Sequence, residues 1–448
     1  MPRQKQPKLA AIVGRPNVGK STLFNKLIGY SQAIASNIPG TTRDVLYGDT
    51  TWNGVTFTIA DTAGLDFDNE ALQQDVMLQT QIAADDADLI IFLVDVREGL
   101  QVLDQKAAEL IRKLNKPVVL ATNKTEGGKY DSIAYDFHKL GLGEPMLISA
   151  VQSRGVGDLL DKIVLKLKRI KKTSPPTRKK TDKPLVRVAL LGRPNVGKST
   201  LFNQLIGKKR AVTSNVPGTT RDTVAMIIET KDFDIELIDT AGIRRPGKIS
   251  GVIEKFSYLS LIRALRSADI ALLLLEANEG IIAQDLHITQ LVLEENKGLL
   301  IVVNKWDALD KDSHVTSNYD RYLARKFAFA NWVPHLYISA LTGQRVDNIK
   351  ESIGTIWASL NIKIPTKALN NIIADAYAGH PPVGKRTLPK IYFASQREVN
   401  PPTILLKTNR PEEIHFSYLR YLEKKVRDKY PMVGAPLKWQ LIKSSSKK

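Results

Sequence analysis

Gly14-Arg15-Pro16-Asn17-Val18-Gly19-Lys20-Ser21 recurs residue for residue as Gly192-Arg193-Pro194-Asn195-Val196-Gly197-Lys198-Ser199, 178 positions further along a chain of 448 residues. Either copy alone satisfies G-x-x-x-x-G-K-[ST], the pattern of a loop that wraps phosphates between a strand and a helix. The likeness extends outward from the loops. Pro39-Gly40-Thr41-Thr42-Arg43-Asp44 returns as Pro217-Gly218-Thr219-Thr220-Arg221-Asp222, and Asp61-Thr62-Ala63-Gly64 as Asp239-Thr240-Ala241-Gly242, both at the same spacing of 178. One spacing shared by three separate motifs means a duplicated unit, and two nucleoside-triphosphate sites in one chain.

A triphosphate needs close backbone approach, fixed N–H donors and a positive charge. Gly14 and Gly19 let the main chain curl round phosphates, and the following helix turns its free N–H groups and positive dipole end toward them. In such a loop Lys20 reaches the β and γ oxygens and the Ser21 hydroxyl ligates Mg2+; Lys198 and Ser199 repeat both roles. Asp61 and Asp239 each end an apolar strand, where a carboxylate can hold Mg2+ through water. The glycine of Thr62-Ala63-Gly64, or of Thr240-Ala241-Gly242, can then offer its N–H to a γ-phosphate. The next residue is Leu65 in one copy and Ile243 in the other. Neither orients a water by hydrogen bonding, so charge stabilisation for hydrolysis has to come from elsewhere.

Short apolar runs alternate with helical patterns, which predicts α/β units with a mostly parallel sheet and helices on both faces. Strands are expected at Leu9–Val13, Val55–Ala60, Leu89–Val94, Val118–Ala121 and Met146–Ile148, then at Val186–Leu191, Ile235–Ile238, Ile270–Leu275, Leu299–Val303 and His335–Ile338. The predicted division is a first GTP-type unit over 8–171, a basic Pro-containing linker over 172–184, a second unit over 185–361 and a tail over 362–446. The tail reads as helix Thr366–Tyr377, strands Lys390–Ser395 and Thr403–Lys407, helix Ile414–Tyr430 and strand Leu437–Leu441, a small α+β module of order αββαβ.

Base selection is expected from Asn304-Lys305-Trp306-Asp307, directly after a strand. An Asp carboxylate accepts both the ring N–H and the exocyclic amine of guanine, a donor pair that adenine lacks. The first unit carries Asn123-Lys124-Thr125-Glu126 at the equivalent place. Glu126 keeps the charge and both acceptors but is one methylene longer, so two readings stand: retained guanine binding with a slightly withdrawn loop, or a relaxed site. Ser149-Ala150 and Ser339-Ala340 follow the final strands, where a loop can back the base.

The chain has no cysteine, which excludes disulfides and thiolate metal sites and suits a reducing cytoplasm. No apolar run approaches the roughly 20 residues of a membrane helix, and Met1 to Lys8 leads into no secretory h-region. The net charge of +19 is unevenly placed. Residues 162–184 hold ten Lys and Arg against one acid, and residues 362–448 hold seventeen against six, which leaves the rest of the chain near neutral. Clusters of this kind fit a polyanionic partner, with a merely solvated face as the other reading. The segments after the two Asp-x-x-Gly motifs also differ. Leu65-Asp66-Phe67-Asp68-Asn69-Glu70 is acidic and Ile243-Arg244-Arg245-Pro246-Gly247-Lys248 is basic, so the two contact different surfaces and the second is the better suited to a polyanion.

With these motifs in hand, the chain resembles the Der/EngA family of tandem GTPases of ribosome assembly, over nearly its whole length. The resemblance implies two GTPase domains followed by a KH-like domain, GTP hydrolysis with Mg2+, a cytoplasmic monomer, and the large ribosomal subunit and its rRNA as partner. G-R-P-N-V-G-K-S with P-G-T-T-R-D also looks like a wider group in which the loop asparagine binds K+. By position this makes Asn17 and Asn195 the K+ ligands, with a loop-shaping role as the other reading. Thr42 and Thr220 join Ser21 and Ser199 around Mg2+, and Lys20, Thr42, Lys198 and Thr220 are the catalytic set. The tail has no G-x-x-G, the loop with which KH domains clamp nucleic acid. Lys385, Arg386 and Lys390 beside Tyr392 and Phe393 form either a basic-aromatic RNA contact or core aromatics with solvated charges. A second functional class also fits: a nucleotide-gated scaffold in which GTP occupancy, rather than turnover, is the signal.

Overall fold

The computed structural model describes residues 7–29, 46–61, 87–126, 130–170, 183–207, 226–238, 261–309, 314–383 and 388–444. These fall into two compact units, one ending near Pro175 and one running from Pro176 to the C-terminal tail.

In the first unit the sheet is built from β1 (Lys8–Val13), β2 (Leu46–Trp52), β3 (Val55–Asp61), β4 (Leu89–Asp95), β5 (Val118–Asn123) and β6 (Met146–Leu147). Their order is β2-β3-β1-β4-β5-β6, parallel except where β2 runs against β3. Helices α1 (Lys20–Gly29) and α2 (Val102–Lys113) follow β1 and β4, and α3 (Val156–Arg169) follows the last strand, β6. Alternate strand residues enter different cores. Ile12 and Ile91 pack with Leu23, Leu27 and Ile163 on one face, whereas Val13 and Ile90 pack with Ala107 and Ile111 on the other. Two covered faces are why these strands are apolar throughout.

The second unit repeats the arrangement with β7 (Leu185–Leu191), β8 (Met226–Glu229), β9 (Asp234–Ile238), β10 (Ile270–Glu276), β11 (Gly298–Asn304) and β12 (His335–Tyr337). The strand order β8-β9-β7-β10-β11-β12 matches the first sheet. Its helices are α4 (Lys198–Ile206), α5 (Ala283–Glu294), α6 (Val315–Lys326) and α7 (Asn348–Leu360). The ten expected strands are all present, but the sequence reading passed over β2 and β8. Each is an antiparallel edge strand, and β2 in particular mixes polar and apolar residues because it is not covered on both sides. Its turn, Asn53-Gly54 with φ of 46° and 71°, is a hairpin signal that was available.

The tail comprises α8 (Thr366–Gly379), β13 (Ile391–Glu398), β14 (Thr403–Thr408), α9 (Phe416–Lys429) and β15 (Lys438–Lys443), in the expected αββαβ order. β13 is antiparallel to β14, and α9 carries the chain across so that β15 lies parallel to β14. Its core is continuous with that of the second α/β unit: Ile404, Leu406, Leu422, Val426 and Met432 belong to one cluster with Ile356, Leu360 and Ile364. Backbone bonds reinforce the union. Leu299 N–H donates to Gly434 O at 2.8 Å, Gly434 N–H to Trp332 O at 2.9 Å, and Asn400 N–H to Leu360 O at 2.7 Å. Asn400 Nδ2 also donates to Asp269 Oδ1 at 3.1 Å. Leu299 and Asp269 lie at the starts of β11 and β10, so the tail docks at the sheet end opposite the phosphate loop.

Gly434 is fixed by this docking. Its φ is +66°, and a Cβ there would stand 2.5 Å from Ile356 Cγ1 and 2.9 Å from Leu299 O. Gly434→Ala is expected to destabilise the second unit by about 2–4 kcal/mol, from left-handed strain and overpacking together. Urea unfolding followed at the tail and at the GTPase core should show both transitions moving together.

Candidate nucleotide sites

Each phosphate loop leaves the central strand (β1 or β7) and turns into a helix (α1 or α4). Gly19 and Gly197 make that turn with φ of +97° and +96°, each pressed against the side-chain amide of an asparagine, Asn123 or Asn304. The loop lysine is held by carbonyls of its own loop. Lys20 Nζ donates to Gly14 O at 2.9 Å and Arg15 O at 2.8 Å. Lys198 Nζ donates to Gly192 O at 2.7 Å and Arg193 O at 2.5 Å. Burial pushes the Lys198 ammonium down to about 8, a penalty on its charge that a neighbouring phosphate would offset. Ser21 and Ser199 stand in the first turn of the helices. Asp61 ends β3, 1% exposed and opposite Ile12 of β1 in the ladder. A helix hydroxyl and a strand-end carboxylate at one sheet edge are hard oxygen donors, and they fit Mg2+. Thr42, Thr62 to Leu65, Thr220 and Asp239 to Ile243 lie outside the described residues.

The base-reading motifs are stapled to the phosphate loops. Asn123 Nδ2 donates to Val18 O at 2.8 Å, and its Oδ1 accepts from Ala150 N–H at 3.0 Å. Asn304 does the same with Val196 O at 2.8 Å and Ala340 N–H at 2.9 Å. Thus the loop, the base reader and the Ser-Ala segment meet in both units. Lys124 and Lys305 have left-handed backbones, with φ of 68° and 60°. Each ammonium pairs with the strand-end carboxylate beside it, Asp95 at 2.5 Å and Glu276 at 2.7 Å. The next residue distinguishes the copies. Thr125 is buried and its hydroxyl donates to Ile148 O at 2.9 Å. Trp306 instead stacks on Tyr337, ring centroids 4.1 Å apart, with Tyr319 edge-on.

In the first unit a cavity of about 330 Å3 is lined by Gly19, Thr22, Arg97, Asn123, Lys124, Glu126 and Val151. Glu126 Oε1 accepts from Ser149 Oγ at 2.7 Å, and Oε2 from Arg97 Nη2 at 2.5 Å. The Ser149 hydrogen bond, with Arg97 beside it, holds the Glu126 carboxyl below its usual range despite partial burial. Val151 and Leu341 follow the Ser-Ala pairs with their apolar side chains exposed, an arrangement the sequence reading did not single out.

A second constellation also went unnoticed in the sequence. Arg15 Nε donates to Asp104 Oδ1 at 2.8 Å and Nη1 to Glu98 Oε2 at 2.7 Å. Arg193 repeats this with Asp285 at 3.0 Å and Glu279 at 2.6 Å. Asp104 and Asp285 are fully buried, and each also accepts a backbone N–H at its helix N-terminus, from Gln101 and Ile282. The signal was present as E-G-x-x-x-x-D, Glu98 to Asp104 and Glu279 to Asp285. The arginine carbonyl receives the loop lysine, so this clamp fixes the lysine's own acceptor.

In the tail, Tyr392 and Phe393 of β13 are 55% and 42% exposed, so the reading that placed them in the core does not hold. Lys390 is exposed beside them, and Lys385 and Arg386 lie outside the described residues. Among the described residues no helix is long and apolar enough to cross a membrane.

Asp104→Ala leaves Arg15 buried without its main counter-charge and is expected to cost the first unit about 3–5 kcal/mol. Replacing both partners, Arg15→Met with Asp104→Leu, should recover much of that stability while leaving nucleotide affinity weakened. Denaturant unfolding and GDP titration of the three variants check this.

Comparison with known proteins converges on the same chemistry. The family described as "50S ribosome-binding GTPase" matches residues 9–124 and again 187–305. The "KH-domain-like of EngA bacterial GTPase enzymes, C-terminal" family matches 363–441. GTPase Der of Chloroflexus aggregans is 45% identical over 438 residues, 96% of either chain. GTPase Der of Desulforamulus reducens is 42% identical over 443 residues, 98% of this chain and 99% of its own. Among solved structures, Era in complex with MgGDPNP and a 16S ribosomal RNA fragment aligns over 58% of this chain and 93% of its own, at 24% identity and TM-score 0.31. With two phosphate loops, two base readers, a KH-like tail and full-length similarity to these relatives, the chain belongs to the GTPase Der family, tandem GTPases that bind GTP with Mg2+ and hydrolyse it.

Proposed function

We propose that this protein couples GTP hydrolysis at two sites to assembly of the large ribosomal subunit, and that K+ stimulates the hydrolysis. The observation that carries the cation reading is the pair Asn17 and Asn195. Both have φ of 64°, and both are exposed at the mouth of a phosphate loop. They occur in units whose Asp-x-x-Gly motif is followed by Leu65 or Ile243, neither of which can direct a water. Asn17 and Asn195 would hold a K+ ion, which would supply fixed positive charge to offset the negative charge that develops during hydrolysis.

In this reading the modules are residues 8–171, 172–184, 185–361 and 362–446. Lys20 and Lys198 offset the phosphate charge. Ser21, Thr42 and Asp61 in one unit, and Ser199, Thr220 and Asp239 in the other, would hold Mg2+, which neutralises the β and γ oxygens when bound. Asn123 to Glu126 with Ser149-Ala150, and Asn304 to Asp307 with Ser339-Ala340, receive the guanine. The ribosomal partner is supported by the family description "50S ribosome-binding GTPase". The charge of residues 362–448, seventeen Lys and Arg against six acids, also suits rRNA phosphates. The basic Arg244-Arg245 segment is assigned to nucleotide-gated contact with rRNA. The protein is proposed to work as a cytoplasmic monomer.

Turnover in KCl is expected to exceed that in NaCl by roughly tenfold or more. Asn17→Ala and Asn195→Ala should each remove the K+ response of their own site. Equal turnover in the two salts would refute the cation reading. Sedimentation with purified large subunits, in GTP against GDP and with Arg244→Ala/Arg245→Ala, tests the partner separately.

A further inference from the structure

The two units carry base-reading side chains of different length. Asn278, the sequence counterpart of Arg97 in the second unit, is exposed and uncharged. Among the described residues Glu126 forms an ion pair and Asp307 does not. A glutamate has one more rotatable bond than an aspartate, so an unrestrained Glu126 would spread its carboxylate over several positions.

Here both oxygens are held: Oε1 by Ser149 Oγ at 2.7 Å and Oε2 by Arg97 Nη2 at 2.5 Å. Arg97 is itself anchored. Its backbone N–H donates to Asp95 Oδ1 at 2.9 Å, and the preceding Val96 N–H donates to Asn123 O at 3.1 Å. The guanidinium therefore starts from the same strand edge that carries the base reader. A carboxylate offers about four acceptor positions, two on each oxygen. Ser149 and Arg97 each use one, and the Glu126 backbone N–H is also directed at the carboxylate. Guanine presents two donors to such a group, N1–H and the 2-amino. Glu126 and Arg97 both line the cavity of about 330 Å3 beside the phosphate loop.

We propose that Arg97 is a positioning residue for base recognition in the first site. It fixes Glu126 so that both carboxylate oxygens face the N1–H and 2-amino groups of guanine, restoring with a clamp what the second site obtains from a shorter side chain. This deepens the reading of the first site as a guanine site and rests on it.

The test uses the full chain in a Lys198→Ala background, so that GDP and IDP titrations report the first site alone. IDP lacks the 2-amino group and engages only one of the two acceptors. Arg97→Ala and Arg97→Asn are expected to weaken GDP by about five- to tenfold and IDP by less, so that the preference for GDP over IDP falls. With Glu126→Asp also present, Arg97→Ala should change GDP affinity by less than about twofold, because the shorter side chain needs no clamp. GDP affinity that is unchanged or tighter on loss of Arg97 would overturn the proposal; tighter binding would show Arg97 to be a competitor for Glu126. Equal losses for GDP and IDP, or the same loss with Asp at 126, would reduce Arg97 to a structural role and overturn it as well. If the Lys198→Ala chain with Arg97 intact binds neither GDP nor IDP, the guanine-site reading itself falls, and the inference with it.

Discussion

The nucleotide sites depend on a single side-chain amide in each unit. Asn123 donates from Nδ2 to the phosphate loop at Val18 O and accepts at Oδ1 from Ala150 N–H, so three loops that leave three different strands become one body. Asn304 repeats both bonds. Only an amide carries a donor and an acceptor at this separation; an aspartate would turn a second acceptor toward a carbonyl. Glycine at positions 19 and 197 follows from the same contact, since the amide occupies the space a side chain would need. Phosphate cradle and base reader are therefore tied together by hydrogen bonds of the protein itself.

Around this common centre the units are stiffened by different forces. In the second, Trp306 is buried against Tyr337 and Tyr319, so the base reader sits on an aromatic cluster whose rigidity is little affected by salt. In the first, Thr125 takes the tryptophan's place and the neighbouring polar groups carry the load through Arg97, Glu126 and Ser149. Arg97 has a half-exposed side chain, and exposed ion pairs are individually weak and screened. The same phosphate chemistry is thus mounted on a firm base pocket in one unit and on an ion-paired one in the other.

Much of this was legible in the sequence because its causes are local. Strands such as Leu89–Asp95 and Ile270–Glu276 are apolar at every position but the last since both sheet faces are covered, and the motifs are set by the backbone needs of a phosphate or a base. What escaped was set by distant partners. Arg15 finds Asp104 and Glu98 more than 80 residues away. The repeat spacing also lengthens from 178 at Asp61 to 181 at Glu98, so a comparison held at one offset passes over the second copy of the clamp. Edge strand β2 escaped because a strand covered on one side loses the continuous apolar run, whereas β8 is only four residues long, Met226–Glu229, and opens on three apolar residues. Ser149 was legible as part of a motif, but Arg97 was not, because nothing in a lone surface arginine reveals which carboxylate it will meet.

Strand β11 joins the tail to the second nucleotide site. Its Leu299 N–H is held by Gly434 of the tail, and its last residue, Asn304, staples the phosphate loop. Between them lie five steps of fully buried strand, roughly 17 Å at about 3.3 Å per residue. A strand buried on both faces has one arrangement, not two, and coupling through packed structure requires an element with two. The tail therefore takes its position from the second GTPase unit as a rigid attachment, and β11 cannot by itself report which nucleotide is bound. In the proposed reading, Thr220 and Asp239 to Ile243 belong to the Mg2+ and γ-phosphate side of the nucleotide, and the basic Arg244-Arg245 stretch follows directly in sequence, so phosphate sensing and the charge to meet an RNA would fall on one stretch of polypeptide.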